Sequence, residues 1–579
     1  MKIFKKILVQ LLTLLMVLNL AVVACAEEVE AEAVTYTIKV NNPEALTQHT
    51  YEVYQIFKGD VVESEIEGVD SNDILSNVVW GSGVAQDKHE IIEDALTNET
   101  TSPLFTAAYN AVLNTPAEKE AFEAMTDVQK IAYVLAKNKT NFELVKEFSR
   151  VVCANLSDEC DELVAINIHT YEGDSFEGGY YLIKDKDGSL DTTKGETYTS
   201  NMLQVVGDTD IRAKGGSVKV DKAISVGGTL KEAHDFNIGD TVDYVITGTM
   251  PYNYNRFTTF MYKFGDTMSK GLTYVDGSLR VSLLNSGVKS DLPATTGSRE
   301  NWKLTVTTEN TTNGETKLVV EFPNMKAITD RTIDAQTQVI VEYQAIVNKD
   351  AVIGTSNPNE VNLTISNNPY KDTDTTTTPP DVVHAFVFEL DINKIDGANA
   401  EMKLEGAQFV LWREFMGQKQ YAYVEDGKLV KWVKYKDEAD KLANNGEADD
   451  LIATQLTTNA SGKIEVAGLK SDIYYLQETK APEGYNLDPN VIEVDIDAVV
   501  SENTAGEGQV DSLTITVNGG TAHEGSDDGK VTMTVVNNQG ATLPETGGIG
   551  TTIFYVLGGF MVVAATVLLI SKKRMASEA

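Results

Sequence analysis

The chain has 579 residues and a formal net charge of -38, from 48 Lys+Arg against 86 Asp+Glu. A surface this acidic excludes nucleic-acid binding, which needs a cationic face, and favours a soluble, self-repelling exterior. Three cysteines exclude a disulfide-rich scaffold. Six histidines without metal-like spacing, and the absence of a Gly-rich phosphate loop or nucleophile elbow, give no reason to expect an enzyme, a cofactor or a bound metal.

Residues 1–26 read as a secretory signal peptide: Lys2, Lys5 and Lys6, then an apolar run from Ile7 to Val23, then the small-x-small site Ala24-Cys25-Ala26. Val22-Val23-Ala24-Cys25 is also a loose lipobox. The mature chain is predicted to be mainly β. Residues 27–212 open with strand text at Tyr36–Val40 and Tyr51–Phe57. They change to helical spacing between Leu104 and Leu156, including Ala117–Met125 and Asp127–Ala136, and return to strands at 178–183 and Met202–Val206. This is a β-domain with a helical insertion. Cys153 and Cys160 are seven residues apart, roughly 10.5 Å along a continuous helix and too far for a disulfide; a break near Ser157-Asp158 would permit one.

Residues 216–368 are rich in Thr and Val with period-two alternation, as in Thr241–Thr247 and Val339–Val347, which predicts a β-sandwich. The polar stretch 369–383 is expected to be an extended linker. Residues 384–540 form a third strand-rich unit with a helix near Lys434–Asn444.

Strand alternation puts every second side chain on one face. Phe386, Phe388, Leu390 and Ile392 lead to Lys394 on the apolar face; Val531, Met533 and Val535 lead to Asn537; Glu478 follows Leu476. The middle unit repeats the theme. Val218 and Val220 lead to Lys222, Asn359 shares a face with Val361, Leu363 and Ile365, and Asp266 sits among Phe260, Tyr262, Phe264 and Met268. Asn367 has the parity of Asn359 and is the alternative. Burial favours a neutral amine on lysine and a protonated carboxyl group. Such a carboxyl can hydrogen-bond to the Asn carbonyl while the amine attacks, with loss of ammonia. The first unit offers only Lys58, with Tyr54 and Ile56, and Asn201, with Leu203 and Val205.

Residues 543–579 combine Leu543-Pro544-Glu545-Thr546-Gly547, an uncharged span from Thr551 to Ile570, and the basic residues Lys572, Lys573 and Arg574. The span is roughly 30 Å long as a helix, one hydrocarbon core, and the basic tail is a cytoplasmic stop. This order resembles the cell-wall sorting signal of Gram-positive bacteria. The resemblance implies cleavage between Thr546 and Gly547 by a sortase that holds Thr546 as a thioester.

Tyr475-Leu-Gln-Glu478-Thr-Lys-Ala481-Pro482-Glu-Gly484-Tyr485 resembles the E-box of the B-type collagen-adhesin domains of sortase-assembled pilins, and Leu404–Phe409 resembles their second strand. Tyr262–Leu272 resembles the Asp-bearing strand of A-type domains. The resemblance to backbone pilins implies tandem immunoglobulin-like β-sandwiches with intramolecular isopeptide bonds. It assigns Lys394 to Asn537 with Glu478 assisting, and Lys222 to Asn359 with Asp266 assisting.

It also implies an acceptor lysine after the first domain. Lys214 occupies that place, although Arg212-Ala213 stands where the family has a proline. The partners implied are pilus-class and housekeeping sortases, identical subunits joined head to tail, minor pilins, peptidoglycan and, beyond the fibre, host matrix. If tension enters at Thr546 and leaves through Lys214, it crosses only the second and third domains. The alternative is a monomeric wall-anchored adhesin for a host matrix protein, which would need no acceptor lysine.

Overall fold

A computed structural model describes residues 34–62, 74–307, 314–540 and 549–575. The signal peptide and the pentapeptide 543–547 lie outside the described residues. The chain divides into two compact units, one of Met1–Phe236, Asp240–Phe386 and Val500–Gln509, the other of Asn237–Gly239, Val387–Val499 and Val510–Ala579.

The first unit begins with two sheets. One has the order Thr209–Arg212, Thr35–Asn41, Thr170–Glu177, Val164–Asn167; the other runs Ile74–Trp80, Tyr51–Val62, Gly179–Asp185, Ser200–Val205. Ile38, Val40, Tyr51, Val53, Tyr171, Tyr181 and Ile183 form the core between them, with alternate residues on each strand turned inward.

Five α-helices are inserted between Trp80 and Asp161: His89–Leu96, Pro103–Leu113, Pro116–Glu123, Asp127–Lys137 and Phe142–Cys153. The fourth starts with a capping box of Thr126 and Gln129. It buries Val128, Ile131, Val134 and Leu135, the three- and four-residue spacing of an amphipathic helix. Phe105, Phe122 and Phe148 complete a second core beneath Phe57. The last helix ends at Cys153, and Cys153 and Cys160 are both free thiols.

The same unit continues with two seven-stranded sheets. The first contains Val220–Val226, Thr241–Thr249, Gln338–Val347 and Arg280–Asn285; the second contains Asp381–Phe386, Asn357–Ser366, Tyr262–Met268 and Thr316–Phe322. Tyr262–Met268 alternates buried and half-buried residues along its whole length. Residues 369–383 do not run free as a linker. Thr375–Thr377 and Asp381–Phe386 both pair antiparallel with Asn357–Ser366. Threonine is β-branched and suits a pleated surface, and Thr376 and Thr378 are buried. The prolines at 379 and 380 fall between the two strands, where no ladder donor is lost.

In the second unit one sheet carries the order Asp472–Lys480, Gln408–Phe415, Gln418–Glu425, Lys428–Val433, Lys463–Leu469, Phe388–Asp396, Lys530–Asn537. Its first and last long strands, Phe388–Asp396 and Lys530–Asn537, are parallel neighbours. Glu438–Ala443 supplies the expected short helix. Helix Ile549–Met575 contains the stretch Ile553–Lys573, long and apolar enough to cross a membrane.

Candidate cross-link and acceptor sites

Lys394, Glu478 and Asn537 come from three strands of the second unit and meet in its core. The ladder pairs Lys394 with Val535 and Asp396 with Asn537, so Asn537 stands two residues further along on the same face. Lys394 Nζ donates to Asn537 Oδ1 and lies 3.2 Å from Glu478 Oε1. Asn537 Nδ2 donates to Glu478 Oε1 at 2.9 Å and to the Asn486 carbonyl at 3.0 Å. Glu478 Oε2 accepts the Asp488 backbone N–H at 2.9 Å. Lys394 is fully buried, with its amine 5.3 Å from the Phe409 ring centre. Burial pushes its pKa down, an effect that Glu478 and Asp488 partly offset. In this arrangement the carboxylate faces the amide nitrogen, the future leaving group. The sequence reading had it facing the carbonyl oxygen.

The middle site is built between two sheets. Lys222 and Tyr343 project from one, Asp266 and Asn359 from the other. Lys222 Nζ donates to Asp266 Oδ2 and lies 3.0 Å from the Tyr343 hydroxyl. Tyr343 donates to Asp266 Oδ2 at 2.9 Å and accepts from Asn359 Nδ2 at 2.7 Å. All four side chains are buried. Burial lowers the pKa of Lys222 and raises that of Asp266, in each case against the pull of its partner. Asp266 Oδ1 and Asn359 Oδ1 are buried with no hydrogen-bond partner.

Tyr343 was missed by the sequence reading. It lies on the apolar parity of Gln338–Val347, after Val339 and Val341, where a tyrosine reads as core. Asn367 is eight residues beyond Asn359, roughly 26 Å along an extended chain, and the Tyr343 hydroxyl is engaged by Asn359.

The first domain does not bring Lys58 and Asn201 together. Lys58 pairs with Gly179 in the ladder and Asn201 with Ile183, four positions away. Lys58 is exposed in an ion pair with Glu177 at 2.6 Å. A buried ionisable cluster of this domain is instead His49 between Asp185 and Glu196, which no motif or periodicity announced.

Lys214 lies two residues beyond the end of the strand Thr209–Arg212, which pairs in parallel with Thr35–Asn41. It lines a cleft of about 920 Å³ whose walls come from both β-domains of the first unit. The other cations there are Lys137, Lys139, Lys146 and Arg256, and among the described residues no Asp or Glu lines it. In a chain of net charge -38 this is a local reversal of sign. Lys214 is exposed at the cleft, and partial desolvation there and then the Arg256 charge lower its pKa.

Comparison with known proteins gives three family matches. Residues 388–508 match the SpaA prealbumin-like fold domain, 238–369 the Cna-B-like domain of Gram-positive pilin backbone subunit 2, and 535–577 the LPXTG cell wall anchor motif. The middle match carries a Cna-B-like description, so the A-type resemblance there rests on the Asp-bearing strand.

The chain is 25% identical over 439 residues to the trypsin-resistant surface T6 protein of Streptococcus pyogenes serotype M6, covering 67% of this chain and 74% of that one. Among solved structures, the group B streptococcus pilus 2b backbone protein is 27% identical (56% of this chain, 99% of that one, TM-score 0.39). The T6 backbone pilin of serotype M6 Streptococcus pyogenes is 15% identical (88% and 100%, TM-score 0.48).

These features define a β-rich surface protein held to the cell wall through its C-terminus, with an apolar helix that crosses the membrane before anchoring. Its matched domains are those of Gram-positive backbone pilins and its C-terminus that of a wall-anchored protein, the make-up of a structural subunit of a pilus shaft.

Proposed function

We propose that each subunit cross-links itself at Lys394–Asn537 and Lys222–Asn359 and is then joined through Thr546 to Lys214 of the next copy. The meeting of Lys394, Asn537 and Glu478 in a buried site carries the first part. The neutral amine attacks Asn537 Cγ and a C–N bond forms. The bond from Cγ to Nδ2 breaks, and Nδ2 leaves as ammonia with one proton relayed from the lysine nitrogen through Glu478. At the middle site burial raises the Asp266 pKa, which favours a proton on its carboxyl for the same relay, and the orphan oxygens of Asp266 and Asn359 fit a site poised for reaction.

In polymerisation, the Lys214 amine attacks the Thr546 acyl-thioester. The C–S bond breaks, an amide forms, and the proton passes to the sortase thiol. The lowered pKa of Lys214 and a cleft of cations, complementary in charge to an acidic donor segment Leu543-Pro544-Glu545-Thr546, support that assignment. The backbone-pilin matches favour this reading over a monomeric adhesin. Sortases of both classes, minor pilins, peptidoglycan and host matrix are the partners proposed.

Intact mass of purified residues 27–541 tests the cross-links. Each bond releases one ammonia, about 17 Da. We expect a deficit of two ammonias, with Lys222→Ala and Lys394→Ala each restoring one. The full calculated mass would refute self-cross-linking.

A further inference from the structure

His49 is buried at one end of the first domain, away from both Lys–Asn sets in sequence. Its Nδ1 is 2.7 Å from Asp185 Oδ1 and its Nε2 is 3.3 Å from Glu196 Oε1. Its ring stacks on Tyr51, and its backbone N–H donates to the Tyr171 hydroxyl at 2.8 Å. Asn42 Nδ2 approaches Nε2 at 3.4 Å and donates to the Tyr51 hydroxyl at 2.9 Å. Glu196 also accepts from the Leu46 N–H, at 2.7 Å, and from the Thr47 hydroxyl. Burial alone would neutralise the imidazole, but the bonds to Asp185 and Glu196 outweigh it and raise its pKa to about 9. A pKa raised that far favours the imidazolium form of His49 between Asp185 and Glu196 at neutral pH.

The carboxylates lead to Lys214. Asp185 Oδ2 accepts the Thr199 N–H at 2.5 Å, and the Asp185 N–H donates to the Thr199 carbonyl at 3.1 Å. Glu196 and Thr197 form a two-residue strand that pairs with Gly216 and Ser217. The Thr197 hydroxyl lies 3.0 Å from the Gly216 nitrogen and 2.9 Å from its carbonyl oxygen. A Cβ on Gly215 would stand 2.4 Å from Thr199 Oγ1 and 3.0 Å from the Thr197 carbonyl, so only glycine lies flat there. On the other side of Lys214, the Ala213 N–H donates to the Asn41 carbonyl at 2.8 Å, one residue before Asn42. Both flanks of the acceptor are thus fixed to segments that the cluster ties together.

We propose that His49, Asp185 and Glu196 form a buried ionic clasp whose role is to position Lys214 for attack on the incoming acyl-thioester. They are positioning residues, since none lines the cleft. The inference rests on Lys214 being the acceptor.

The test is joining of the full-length mature subunit by its pilus sortase in vitro, with thioester hydrolysis measured in parallel. In His49→Gln and in Glu196→Gln the acceptor kcat should fall about tenfold or more, with acceptor KM and hydrolysis unchanged, because the cleft and the donor are untouched. Gly215→Ala, which displaces the lysine without altering the clasp, should reproduce the defect. Thermal unfolding and intact mass establish that each variant is folded and cross-linked. If His49→Gln does not fold, Glu196→Gln and Gly215→Ala carry the test.

Wild-type joining by a folded clasp variant, with joining lost in Lys214→Arg, overturns the clasp and leaves the acceptor assignment standing. Continued joining in Lys214→Arg overturns the acceptor assignment and the clasp with it.

Discussion

Asn537 stands two residues ahead of Lys394 across a parallel ladder, and the lysine amine reaches it on the buried face. The two are 143 residues apart in the chain. A cross-link closing so long a loop is worth about 5 kcal/mol by the chain-entropy estimate. At ~2–4 °C per kcal/mol, Lys394→Ala should lower the melting temperature of the second unit by roughly 10–20 °C. Calorimetry should show this loss in one transition only, since the partners of Lys394 all lie within that unit.

Tyr343 offers a sharper test of the middle site. Its hydroxyl is within hydrogen-bond reach of Lys222, Asp266 and Asn359 together. Tyr343→Phe keeps the ring and its stacking on Tyr244, at 5.3 Å between centroids, and removes only the bridge. Bond formation there should slow at least tenfold. Mass spectra taken after expression should show a mixture of species about 17 Da apart. Complete closure at the wild-type rate would mean that the hydroxyl has no part in the chemistry.

The His49 cluster makes a pH prediction. The groups facing the imidazole are Asp185, Glu196, Tyr51 and Asn42, with the Tyr171 hydroxyl on the His49 backbone N–H. A folded pKa of about 9 lies above the ordinary value of 6.5. The stabilisation is therefore complete below about pH 6.5, declines as pH rises, and is gone above about pH 9. Its size is on the order of 3 kcal/mol. Denaturant unfolding of the first domain at pH 6, 7.5 and 9 should follow that decline, and His49→Gln should flatten it.

Lys214 titrates in the opposite practical sense. The side chain is exposed at the cleft, but partial desolvation there and the Arg256 charge lower its pKa, so the neutral amine appears at lower pH than on a fully solvated lysine. Peptide-mapped labelling with a small amine reagent should give a midpoint for Lys214 below the usual 10.4. Arg256→Gln removes a like charge, so that midpoint should rise. No change would show that Arg256 does not act on the amine.

The β-architecture was legible because period two runs cleanly through such strands as Tyr262–Met268 and Lys530–Asn537. The same parity marked Lys222, Asp266, Asn359, Lys394, Glu478 and Asn537, since a charge or amide inside an apolar stripe is conspicuous. Tyr343 was hidden because tyrosine belongs in such a stripe anyway. His49 was hidden because its partners lie 136 and 147 residues away, and only the fold brings them near. The stretch 369–383 was misjudged as linker because its Asp, Thr and Pro content outweighed the β-branched Thr375–Thr377 and the strand Asp381–Phe386 that pack on Asn357–Ser366.

The parallel pairing of Phe388–Asp396 with Lys530–Asn537 has a consequence for the length of a fibre. Pulled from opposite ends, two parallel neighbours slide along each other, so every rung of their ladder resists at once. If the ladder gave way, the 143-residue interval between Lys394 and Asn537 could pay out roughly 480 Å of slack per subunit. A joined pair removes that reserve: the fibre's span under load is set by the short path through the first and last strands, however the intervening chain folds or frays.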